Sequence, residues 1–87
     1  MQINKISPNF KGLIVIKEHP TRESIKGQAI DTKDIAYLQG QPNGVSTYAR
    51  TFLGRELFLN ASFDSIIDAY KKASKGDDII VELESLK

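Results

Sequence analysis

The stretch that decides the fold of this chain runs from Ile30 to Gly76 and reads IDTKDIAYLQGQPNGVSTYARTFLGRELFLNASFDSIIDAYKKASKG. Signals for a strand, a turn, a second strand, a turn, a third strand, a helix cap, a helix and a helix stop follow one another along it. Gly, Pro and Asn mark the turns, and apolar residues recur at three- and four-residue spacing where the helix is expected. The stretch therefore predicts part of a small α+β domain.

Three consecutive strands are predicted in the first half of this stretch. Residues 35–39 form the first candidate, and Gln41-Pro42-Asn43-Gly44 supplies a turn in which proline presets φ and Asn-Gly tolerates positive φ. Residues 45–52 form the second candidate, with Ser46, Tyr48, Arg50 and Phe52 on one face. Leu53-Gly54 then reverses the chain, and residues 55–60 return as the third strand. Such a succession predicts an antiparallel meander.

A helix over about residues 62–75 is predicted from its caps and its apolar stripe. Ser62 is placed to cap the first-turn amides, Asp64 and the lysines near the other end complement the helix dipole, and Gly76 suits a left-handed stop. The apolar stripe, which must cover a sheet face, consists of Phe63, Ile66, Ile67, Tyr70 and Ala73.

Two further strands and an N-terminal arm complete the predicted architecture. Residues 13–16, Leu-Ile-Val-Ile, are continuously apolar and favour a central strand, residues 28–31 suit a short extended piece, and residues 78–84 suit a final strand. Ile80 suggests that the second face of that last strand is partly covered. We expect a single α+β domain over residues 12–87, with a meander sheet of about five strands and the helix on one face. Residues 1–11 are expected to form a loose arm or edge strand.

Composition narrows the classes of function. Twelve basic and eleven acidic residues leave a net charge of +1, which provides no global field toward a phosphate backbone or an anionic membrane. The chain has no cysteine, so a disulfide framework and a thiolate zinc site are excluded. No apolar run is long enough for a signal-peptide core or a membrane span. We therefore expect a cytoplasmic protein without membrane partners.

The residues that carry catalysis in other proteins are scarce in this chain. His19 is the single histidine and is better read as a solvated loop residue than as part of a catalytic triad. Asp77 and Asp78 are better read as a solvated turn than as a cation site. The glycines lie at hairpin ends and not in phosphate-binding spacing. We expect no catalytic residue, no metal and no cofactor.

One surface stands out as a candidate for binding. Tyr48, Arg50 and Phe52 share a strand face, and Arg55 follows the tight reversal at Leu53-Gly54, so these four residues form a candidate surface for phosphate or an acidic partner. The alternative is that both arginines are solvated hairpin residues whose stems pack on the aromatics. Most of the aromatic residues are expected in the core, with Tyr48 and Phe52 as exceptions.

Part of the chain resembles the short flagellar and swarming-motility protein family. In that family a G-K/R-E-x-x-x-N segment precedes an E-S-x-D/E-E-I/V helix start. The resemblance covers about residues 30–73, and its matching residues are Gly54, Arg55, Glu56, Asn60, Ser62, Asp64, Ile66 and Ile67. It implies a small cytoplasmic accessory or regulatory protein without enzymatic activity.

The same stretch is similar to the front half of LytTR-type DNA-binding domains. Asp34, Ile35, Tyr37 and Leu38 match an I-x-x-x-D-I-x-Y-L strand of those domains. The domains continue into a basic second half, whereas this chain continues into the acidic stretch 77–84. From the residues and the resemblances we expect a non-enzymatic module that binds a protein or associates with itself. The alternative is a nucleic-acid-binding module that uses Tyr48, Arg50 and Arg55.

Overall fold

The computed structural model describes residues 11–23 and 26–85. Six strands and one α-helix follow one another in this order: β1 Gly12–Ile16, β2 Gln28–Asp31, β3 Ile35–Gly40, β4 Thr47–Thr51, β5 Glu56–Leu59, α1 Phe63–Ala73 and β6 Ile79–Leu83. A 3-10 turn, Thr32–Asp34, separates β2 from β3. The α+β class is confirmed, while the predicted N-terminal arm lies, except for Lys11, outside the described residues.

The strands form two three-stranded sheets, and the expected five-stranded meander is therefore wrong. The first sheet has the order β2-β1-β6, in which β1 is the middle strand, antiparallel to β2 and parallel to β6. The second sheet, β3-β4-β5, is the predicted meander limited to three strands. The meander stops there because the 3-10 turn redirects the chain between β2 and β3, and because α1 carries it from β5 back to the first sheet.

Strand β3 contains a bulge that changes which side chains reach the core. Ile35 pairs with Thr51 and Tyr37 pairs with Arg50, so β3 uses one more residue than β4 over this interval, and Ala36 is the extra one. Both Ile35 and Leu38 therefore pack in or against the core although they are three residues apart. Without the bulge, strict alternation would place these two side chains on opposite faces.

One core lies among the two sheets and α1. Its largest fully buried side chains are Ile14 and Ile16 of β1, Leu59 of β5 and Ile66 of α1. Three alanines of the α1 region, Ala61, Ala69 and Ala73, are also buried. On the other face of the first sheet Ile80 is exposed, whereas Leu13, its register partner in β1, is half-buried. The core is thus built mainly from aliphatic side chains and alanine, and Thr47 is fully buried as well.

The ends of α1 confirm one predicted cap and correct another. Ser62 adopts an extended conformation, and its Oγ accepts a hydrogen bond from the backbone N–H of Ser65 at 3.2 Å, as expected of an N-cap. At the other end, the predicted left-handed stop at Gly76 is wrong. The helix ends through Ser74, whose N–H and hydroxyl both donate to the carbonyl oxygen of Tyr70. The positive φ of this region belongs to Asp78, at 62°.

Candidate interaction surface

Most of the described aromatic residues lie at the surface, contrary to the expectation that most of them pack in the core. Of the seven in the sequence, Phe10 lies outside the described residues, and none of the other six is fully buried. Tyr37 is 46% exposed, Phe58 58% and Phe52 73%. The physical reason is the alternation of the strands, because Thr47, Ala49, Leu57 and Leu59 take the inward positions. The rings of Tyr37, Tyr48 and Phe58 are thus turned away from the core, whereas Tyr70 of α1 packs against it.

Three of these rings form a continuous ladder across β3, β4 and β5. The ring centroids of Tyr37 and Tyr48 are 6.0 Å apart in an edge-to-face arrangement, and those of Tyr48 and Phe58 are 5.7 Å apart. Tyr48 and Phe58 are direct cross-strand partners, as are Gln39 and Tyr48. We call this surface the aromatic face and define it by six outward residues: Tyr37, Gln39, Tyr48, Arg50, Glu56 and Phe58.

The aromatic face carries one cation and one anion. The guanidinium carbon of Arg50 lies 5.8 Å from the ring centroid of Tyr37, within the range of a cation–π contact. Glu56 stands opposite Arg50 in the β4–β5 register, yet its Oε2 accepts the hydroxyl of Tyr48 at 2.7 Å. Neither charge forms an ion pair within the described part of the chain. Both charged groups therefore retain bonding capacity toward a partner.

The hydrogen bond to Glu56 also changes the acidity of Tyr48. The phenol can donate this bond only while it is protonated, so the bond raises the pKa of Tyr48 above its ordinary value. Partial desolvation and the negative charge of Glu56 act in the same direction, and the nearby Arg50 opposes them. Tyr48 is thus held as a neutral donor in the centre of the aromatic face.

The reversal between β4 and β5 presents two apolar side chains. Leu53 is 98% exposed beside Phe52, and Gly54 takes the positive φ, 90°, that closes the turn. Two hydrogen bonds hold the backbone of this reversal. The N–H of Gly54 donates to the carbonyl of Thr51 at 2.9 Å, and that of Phe52 donates to the carbonyl of Asp34 at 3.0 Å. This confirms the predicted reversal and makes it a well-supported apolar tip.

Arg50 and Arg55 lie on different surfaces. Arg50 lies on the aromatic face, whereas Arg55 lines a cleft of about 180 Å³ between β2 and β5, together with Asp31, Asp34 and Leu57. Of the four predicted surface residues, Tyr48 and Arg50 are brought together, and Phe52 lies at the tip. The arginines therefore do not form a joint basic patch, and a binding role for all four remains a prediction.

His19 supports the backbone of its own loop. Its Nδ1 accepts hydrogen bonds from the backbone N–H groups of Thr21 at 3.1 Å and Arg22 at 3.2 Å, which requires that nitrogen to be unprotonated. Asp77 forms an ion pair with Lys11 at 3.4 Å. Across residues 11–23 and 26–85, no group of three or more His, Cys, Asp or Glu residues is arranged to hold a metal ion.

Sequence reasoning missed Tyr37 and Phe58 as members of the surface. A signal for Phe58 was present, since the β4–β5 reversal is centred on Leu53 and residues 48 and 58 are equally distant from it. Tyr37 had no such signal, because the bulge at Ala36 sets its face and nothing in the local sequence marks the bulge.

Comparisons with protein-family models, with curated proteins and with solved structures found no match to this chain. The two family resemblances noted in the sequence therefore stay predictions. Within the described residues, no helix has the length and apolar character needed to cross a membrane.

Proposed function

We propose that this chain is a small cytoplasmic accessory or regulatory module, without enzymatic activity, that binds a protein partner through the aromatic face. The observation that carries the proposal is the display of aromatic side chains: Tyr37 and Phe58 are both about half exposed beside Tyr48, while alanine and threonine occupy inward positions of β4. A contiguous exposed patch of large apolar side chains on a small domain is typical of an interaction site.

The chemistry of the face supports a protein partner. Tyr, Phe and Arg are enriched at protein interfaces and Lys is depleted, and Tyr and Arg are also enriched among the residues that dominate binding energy. The aromatic face contains three aromatic residues, one arginine and no lysine. Full burial of one such ring contributes about 1.5–3 kcal/mol. The hydroxyl of Tyr37 donates to Gln39 and that of Tyr48 donates to Glu56, so both hydroxyls are held in position.

Single-stranded nucleic acid is the second candidate for the same face. The observation in its favour is Arg50, which stacks on Tyr37 without an ion pair among the described residues and is placed to meet a phosphate beside rings on which bases stack. The carboxylate of Glu56 on the same face opposes this candidate, as does the net charge of only +1. We therefore favour the protein partner.

The first experiment tests whether the face binds protein. Immobilised wild type, a Tyr37→Ser/Phe58→Ser variant and a control Ile80→Ser variant, altered on the exposed side of β6, are incubated with extract of the native cells. We expect proteins bound by the wild type and the control to be lost from the face variant. A purified captured protein should then bind the face variant at least about tenfold more weakly. Equal binding to all three chains would contradict the proposal.

A second experiment separates the two candidates. Fluorescence anisotropy with a labelled 20-nucleotide single strand is measured between 50 and 300 mM salt. Nucleic-acid binding predicts an association that weakens steeply with salt and disappears in Arg50→Gln. The protein-partner proposal predicts no association with the labelled strand at physiological salt, and partner binding that weakens far less steeply over the same range.

A further inference from the structure

We infer that the partner on the aromatic face is a second copy of this chain. The inference rests on the proposed function, since it requires that the face binds protein. It starts from the placement of charge: Arg50 and Glu56 are direct cross-strand partners of β4 and β5, and neither forms an ion pair among the described residues. A face that presents one cation and one anion at neighbouring positions is able to complement itself.

The strand register gives the symmetry that would satisfy both charges. A two-fold axis that runs parallel to the strands, midway between β4 and β5, places β4 of one copy over β5 of the other. Because Arg50 and Glu56 are register partners, each Arg50 then faces Glu56 of the second copy, and the contact occurs twice. Two ion pairs follow from one symmetry operation.

The same axis also matches the rings. Tyr48 and Phe58 are register partners in the same two strands, so the operation that pairs the charges places each Tyr48 over the other copy's Phe58. Aligned sheets pack about 10 Å apart, which accommodates one layer of interdigitated side chains. The two charges and the rings of Tyr48 and Phe58 are therefore paired by a single arrangement, and the net charge of +1 per chain opposes it little.

The size of the face sets the expected strength. Only β4 and β5 overlap in this arrangement, so two strands about 4.8 Å apart give a width of roughly 10 Å, and the five residues of β4 give a length of roughly 17 Å. This is smaller than a standard interface, which buries about 800 Å² per partner, so we expect a reversible dimer with a dissociation constant on the order of 100 µM.

Charge-reversal variants test the arrangement by sedimentation equilibrium from 10 µM to 1 mM. We expect the wild type to form dimers with rising concentration. Arg50→Glu and Glu56→Arg should each raise the dissociation constant of the dimer at least about tenfold, because like charges then face each other. An equimolar mixture of the two variants should recover dimers, since every introduced charge now faces an opposite one. Lys71→Glu, on the exposed side of α1, is the matched control and should dimerise like the wild type.

The inference is overturned if the wild type is monomeric at 1 mM, if the single variants dimerise like the wild type, or if the mixture associates no better than its components. A dilution series of the wild type, followed by NMR, tests the same arrangement without depending on how well the variants fold. Amide signals of β4 and β5 should shift with concentration and those of β1 should not, and the reverse pattern would also overturn it. If the wild type is monomeric and the Tyr37→Ser/Phe58→Ser variant still fails to capture the proteins that the wild type binds, this inference alone is overturned. The proposed function then stands.

Discussion

Asp31 joins three parts of the chain through one carboxylate. Its Oδ1 accepts the backbone N–H of Lys33 at 3.1 Å, which caps the 3-10 turn, and its Oδ2 accepts the ammonium of Lys33 at 3.0 Å. The N–H of Lys11, just before β1, donates to the same carboxylate at 3.2 Å. Burial opposes ionisation, but these hydrogen bonds outweigh it and lower the pKa of the Asp31 carboxyl.

The lowered pKa predicts an acid-sensitive contribution to stability. The stabilisation by Asp31 is fully present above the unfolded-state pKa, about 3.9, and is lost as the pH falls through the lower pKa of the folded state. We expect Asp31→Asn to reduce the free energy of unfolding by about 1–2 kcal/mol at pH 7 and much less at pH 2. Urea denaturation at both pH values measures this. Asp68→Asn, which removes an exposed ion pair to Lys72, is the control and should change little.

Tyr48 provides a second prediction, because its pKa reports the hydrogen bond to Glu56. In a Tyr37→Phe/Tyr70→Phe background Tyr48 is the only tyrosine left, and its ionisation is followed by absorbance at 295 nm. Glu56→Gln should lower the pKa of Tyr48 toward the ordinary value of about 10. Glu82→Gln removes a carboxylate from a different sheet and should leave the pKa of Tyr48 unchanged. An unchanged pKa in Glu56→Gln would show that the hydrogen bond is not maintained in solution.

At the scale of elements, the closest approach is between β1 and the end of α1. A Cβ added to Gly12 would lie 1.9 Å from the carbonyl oxygen of Ala73 and 2.5 Å from its carbonyl carbon. Both are backbone atoms and cannot move aside independently of the helix. Ala69 and Ala73 are fully buried where α1 packs, so small residues on both elements set the distance between them. The absence of a side chain at Gly12 thus permits the end of α1 to lie this close to β1.

Gly12→Ala should therefore destabilise the protein strongly. We expect a loss of about 2–3 kcal/mol in the free energy of unfolding, because either β1 or the helix end must shift. The control is Gly76→Ala, whose added Cβ would meet only the flexible Cδ1 of Ile79 at 3.4 Å. That variant should stay within about 1 kcal/mol of the wild type. Thermal unfolding of the two variants compares them, and equal melting temperatures would contradict the prediction.

At the scale of the whole molecule, Gln28 joins the two sheets. Its Nε2 donates to the carbonyl of Phe58 at 2.7 Å, and its Oε1 accepts the N–H of Asn60 at 2.8 Å. The carboxamide thereby acts as a peptide group on the outer edge of β5, which no strand pairs within the described residues. An edge that is occupied in this way is also less open to unwanted pairing.

Loss of the two hydrogen bonds of Gln28 should affect both the stability of the whole protein and the protection of the Asn60 amide. We expect Gln28→Ala to lower the free energy of unfolding by about 1–2 kcal/mol and to speed hydrogen exchange at the Asn60 amide. Gln28→Glu keeps the acceptor for Asn60 but loses the donor to Phe58, so exchange at Asn60 should remain closer to that of the wild type. Gln39→Ala, on the exposed aromatic face, is the control. Unchanged exchange in Gln28→Ala would show that another contact holds the sheets together.

Local chemistry made several elements predictable. Gly44 N–H donates to the carbonyl of Gln41 at 3.0 Å, and Asn43 Oδ1 accepts two backbone N–H groups, as the Pro-Asn-Gly turn predicted. The cap at Ser62 was predictable for the same reason, because it also depends on residues only a few positions apart. Long-range pairing was not predictable, because the parallel partner of β1 is β6, which is separated from it in the sequence by the whole meander and the helix. No local preference encodes such a partner, which depends on how the core closes.

The sequence by itself determined the α+β class, the three strands of the meander, both hairpin turns and the start of the helix, because these depend on residues a few positions apart. Only the tertiary structure decided that the strands divide into two sheets and that the aromatic rings of the meander lie outside. The rings lie outside because threonine, alanine and leucine occupy the inward positions of β4 and β5, and because the bulge at Ala36 turns Tyr37 outward. The surface on which the proposed function depends is thus a consequence of register, which is fixed when the core packs.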